Sequence, residues 1–69
     1  MWQEIPKERF EVLNEMINFL VSRGSVYREW WGHAEGSVEG LEVFCKKTKS
    51  ALMTLTRDSV TNKYYMKED

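Results

Sequence analysis

An all-α domain of about three helices, near residues 6–23, 26–35 and 38–57, is the fold class this sequence predicts, and three observations carry the prediction. Apolar residues recur at helical spacing through the first third of the chain. The stretch SVYREWWGHA repeats that spacing, and Val38, Leu41, Cys45, Thr48, Leu52 and Leu55 then alternate steps of three and four. The alternative is an α+β domain in which the last third forms strands.

The first helix begins at Pro6, whose fixed φ suits the first helical position and whose missing N–H would be unpaired there, with Glu8 in the positive first turn. Phe10, Val12, Leu13, Met16, Ile17, Phe19, Leu20 and Val21 occupy about 200° of its circumference. A helix that apolar wants neighbours on two sides, and in a small chain one of them can be another molecule.

Gly24 suits the left-handed C′ position that ends a helix, and Ser25 is a candidate cap for the next. In the second predicted helix Ala34 centres the apolar arc, with Tyr27 and Trp30 on one side and Trp31 on the other. The aromatic stretch therefore reads as a wedge between the first and third helices, with Trp30 in the core and Trp31 at the exposed margin. A strand reading would send two adjacent tryptophans to opposite faces.

Ser37 and Glu39 supply a cap and a first-turn carboxylate for the third predicted helix. Its composition pulls the other way, because Val43, Thr48, Thr54 and Thr56 are β-branched and ALMTLT has the character of a strand. The tail SVTNKYYMKED is compatible with a final strand or a short helix, and Asn62 marks a turn.

At 69 residues the chain is expected to form a single small domain. One cysteine excludes an intramolecular disulfide, and one cysteine with one histidine excludes a self-contained four-ligand zinc site. Without an apolar run of membrane-spanning or signal-peptide type, a cytoplasmic protein is expected. The net charge of −1 excludes a polybasic nucleic-acid arm and a binder of anionic membranes in their obvious forms.

Three sets of residues are candidates for function. Tyr27, Arg28, Trp31 and His33 combine aromatic area with polar rims, as partner-binding anchors do. Lys46, Lys47, Lys49 and Arg57 form a basic side of the third predicted helix, in a segment where residues 43–63 carry five cations and one anion. That side suits a helix-turn-helix, although Glu39 and Glu42 would place carboxylates at its reading end. Val12, Phe19, Val43 and Met53 would join into an apolar self-association patch, so homodimerisation is expected, extending the domain into a larger bundle.

His33 and Cys45 are the only residues suited to nucleophilic or metal chemistry, and burial on an apolar seam would raise the Cys45 pKa. There is no phosphate loop or nucleophile elbow, so no enzymatic activity, cofactor or metal is expected. The preferred function is a small regulator or inhibitor that occupies a surface on a larger protein, a profile common among small proteins of bacteria and phages. A nucleic-acid-binding helical domain and a self-assembling structural subunit are the rivals.

Overall fold

In the computed structural model, which describes residues 2–32 and 38–68 apart from the side chains of Trp31 and Val38, one helix lies across a five-stranded antiparallel sheet. The elements are β1 (Gln3–Ile5), α1 (Lys7–Ser22), β2 (Val26–Gly32), β3 (Val38–Cys45), β4 (Ala51–Asp58) and β5 (Lys63–Glu68). In space the strand order is β1-β5-β4-β3-β2. The last four strands form a meander, and α1 carries the chain from one edge of the sheet to the other.

Only the first of the three expected helices forms. The helices expected at 26–35 and 38–57 are replaced by β2 and by the β3–β4 hairpin, so the helical bundle is overturned. Strands already form at Gln3–Ile5 and from Val26 onward, so the alternative with strands confined to the last third also falls short. The period of two explains the error. Leu41 and Val43 in β3, Met53 and Leu55 in β4, and Met66 in β5 share one face of the pleat and turn toward α1. Phe44, Thr54 and Thr56 alternate with them onto the opposite face, and the three-four spacing noted in the sequence is accidental.

Pro6 stands one place earlier than expected, as the residue whose carbonyl accepts the first helical bond, from Phe10 N–H at 3.1 Å. At the other end Gly24 adopts φ 78°, with Gly24 N–H donating to Val21 C=O and Ser25 N–H to Leu20 C=O, both at 3.0 Å. This pair of bonds satisfies carbonyls that the helix end would leave open. Ser25 leads into β2 and caps no helix.

The β3–β4 connection closes with Cys45 N–H on Ser50 C=O at 2.9 Å and Lys49 N–H on Cys45 C=O at 2.8 Å, and Lys49 takes φ 64°. Between β4 and β5 the Asp58 carboxylate accepts from Val60 N–H at 3.0 Å and Thr61 N–H at 3.4 Å, while Asn62 takes φ 57°. Asn and Asp favour such turns because their short side chains satisfy nearby amides and tolerate the left-handed region. The core between helix and sheet comprises Ile5, Ile17, Val26, Leu41, Val43, Leu55 and Met66, edged by Phe10, Leu13, Leu20 and Val21.

Candidate functional site

β2 is the outermost strand on its side, and among the described residues no strand pairs with its outer edge. Its inner edge is fully engaged, from Val26 opposite Cys45 to Gly32 opposite Glu39. Alternate residues along the seven of β2 therefore offer backbone donors and acceptors on the free side, a template for a further strand.

Side chains on both faces hold this edge in place. On the helix side, an Arg28 guanidinium N–H donates to the Asn18 side-chain carbonyl of α1. On the other face Tyr27 stacks on Phe44, with centroids 5.0 Å apart and planes 14° from parallel. Lys49 Nζ lies 5.3 Å from the Tyr27 centroid, so the ring carries a cation on its face.

Trp30, expected in the core, is 67% exposed. It borders a cleft of about 220 Å³ between α1 and the sheet, whose wall includes Phe10, Asn14, Leu41, Leu55 and Arg57. Across the cleft floor the Arg57 guanidinium pairs with the Glu39 carboxylate at 3.0 Å, and Arg57 Nε is buried without a hydrogen-bond partner. The cleft is thus an apolar slot with a polar end, suited to one side chain of a ligand whose backbone lies along β2.

Of the anchors suggested by the sequence, Tyr27 and Arg28 are half-buried in β2, and the Trp31 backbone is also in β2, opposite Gly40. His33 lies outside the described residues. The basic set is divided: Lys46, Lys47 and Lys49 are exposed around the β3–β4 turn, while Arg57 lies toward the far end of β4 against Glu39. No recognition helix presents them, because a strand hairpin stands where a helix-turn-helix needs two helices. The self-association set is divided as well. Val12 and Phe19 are exposed on the outer side of α1, whereas Val43 is buried and Met53 half-buried beneath it.

Cys45 is half-buried, and its thiol is held below the ordinary value, not above it. The hydrogen bond from the Thr48 side chain is the largest cause, followed by the backbone amides of Thr48 and Lys47, which together outweigh desolvation. Among the described residues no three His, Cys, Asp or Glu side chains converge as metal ligands, and no helix is long and apolar enough to cross a membrane.

The sequence reading missed Trp30, Phe10 and Asn14 as residues of one site, because a helical wheel spreads Trp30 into a core that the strand does not build there. Strand alternation after the Gly24–Ser25 break, with Val26, Arg28 and Trp30 on one face and Tyr27 and Glu29 on the other, was the signal that could have found the edge. Comparison with known proteins gives no relative to set beside this geometry, since no protein-family model, no curated protein and no solved structure matches the chain.

Proposed function

We propose that this protein is a small non-enzymatic binding module that acts by occupying a surface on a larger protein, and that it does so by accepting an extended segment of that protein onto the free edge of β2. The observation that carries the reading is the juxtaposition of a seven-residue unpaired edge with the exposed Trp30 and the cleft beside it. Added strands draw affinity from main-chain hydrogen bonds and selectivity from pockets that take alternate side chains. The Trp30 cleft supplies such a pocket, and its apolar walls favour an aliphatic or aromatic side chain.

A photo-crosslinking residue at position 30, compared with one at position 52 on the other face of the sheet, tests this. Cross-links at 30 to an extended stretch of one protein, with slowed amide exchange in β2 of the purified complex, are expected. Trp30→Ala is expected to weaken that complex about tenfold or more, as for other tryptophan anchors. Equal cross-linking at both positions with unchanged exchange in β2 would remove the reading.

A further inference from the structure

We propose that α1 pairs with α1 of a second copy of this chain, in antiparallel orientation, through the side that faces away from the sheet. Val12, Met16 and Phe19 lie there, 57%, 55% and 58% exposed. Their spacing of four and then three residues lines them up along one seam. Glu8 continues the seam one turn before Val12, and Arg23 follows it one turn after Phe19. The Arg23 guanidinium lies 5.5 Å from the Phe19 ring centroid, which places that cation on the seam itself.

The charges at the two ends of this seam are complementary only when one copy is reversed. A two-fold axis near Met16 brings Val12 of each copy to Phe19 of the other, and Glu8 of each copy to Arg23 of the other. Parallel pairing would set Glu8 against Glu8 and Arg23 against Arg23 at the two ends, a repulsive arrangement. An unrelated partner would require no such reciprocity between the two ends of the helix. Near-antiparallel packing at about 20° keeps the terminal pairs within reach of long side chains. The seam is short, which puts the dimer in the class of small, reversible interfaces. It leaves both β2 edges free, so the dimer would be bivalent, and it stands whether or not β2 takes a partner strand.

Sedimentation equilibrium on the full chain tests the pairing. At about 100 µM the mass is expected to approach twice the 8.2 kDa of one chain. Met16→Lys is expected to sediment as a monomer with an unchanged circular dichroism spectrum. Arg23→Glu, which turns two attractions into repulsions, is expected to weaken association about tenfold, and the double variant Glu8→Arg/Arg23→Glu to recover it. In a Cys45→Ser background, Met16→Cys is expected to form an intermolecular disulfide at the axis. A native chain that stays monomeric, a dimer indifferent to Met16→Lys, or a double variant no stronger than Arg23→Glu would each overturn the proposal.

Discussion

Cys45 shows how one turn sets the chemistry of one atom. The Thr48 hydroxyl and two turn amides stabilise its thiolate, so the folded chain holds the proton less tightly than the unfolded chain does. A group with a depressed folded-state pKa contributes stability that is fully present above its unfolded pKa and is lost as pH falls through the folded one. Thiolate absorbance during a pH titration is expected to rise at lower pH in the native protein than in urea, and Thr48→Val to move the native midpoint upward. Gly24 is a second residue-scale case, since a Cβ there would meet only Lys46 Nζ, at 4.0 Å. Space is therefore available, and the cost of Gly24→Ala is the positive φ alone, about 1 kcal/mol by chemical denaturation.

At the scale of elements, the sheet face beneath α1 carries the packing. Leu55, in the central strand, is 1% exposed, and Leu55→Ala is expected to cost about 2–5 kcal/mol, enough to leave a domain of this size largely unfolded. On the opposite face Glu29 and Glu42 stand directly across from each other in β2 and β3. Like charges in that position repel, so Glu42→Thr is expected to raise the denaturation midpoint by the equivalent of about 0.5 kcal/mol. The strand character of these residues was partly legible. β-branched composition in ALMTLT and the turn signal at Asn62 both point the right way, yet an accidental three-four spacing outweighed them in the sequence reading.

For the whole molecule, one helix and one sheet face bury each other, leaving the outer side of α1 and, among the described residues, both sheet edges, the short one at β1 and the longer one at β2, unpaired. The proposed self-pairing through that helix would link stability to mass action. The thermal midpoint is expected to rise with protein concentration in the native chain and to become independent of concentration in Met16→Lys, which differential scanning fluorimetry over a dilution series would show. The division of the sequence-suggested patch follows from the same layering: Val12 and Phe19 are on the outer side of α1, and Val43 and Met53 are in the sheet beneath it.

By itself the sequence determined α1, from Pro6 to the Gly24 stop, because capping, φ preference and a 3.6-residue apolar period are local properties that agree with one another. It also determined that this helix carries more apolar surface than one neighbour covers. Only the tertiary structure decided that Val26–Gly32, Val38–Cys45 and Ala51–Asp58 are strands, since short apolar segments satisfy two periods at once and the choice falls to whichever arrangement buries Ile17 and Leu55 together. The same decision created the candidate site. An edge exists only after strands have been ordered across a sheet, and the Trp30 cleft exists only where α1 crosses the strand ends, so neither could be read from spacing along the chain.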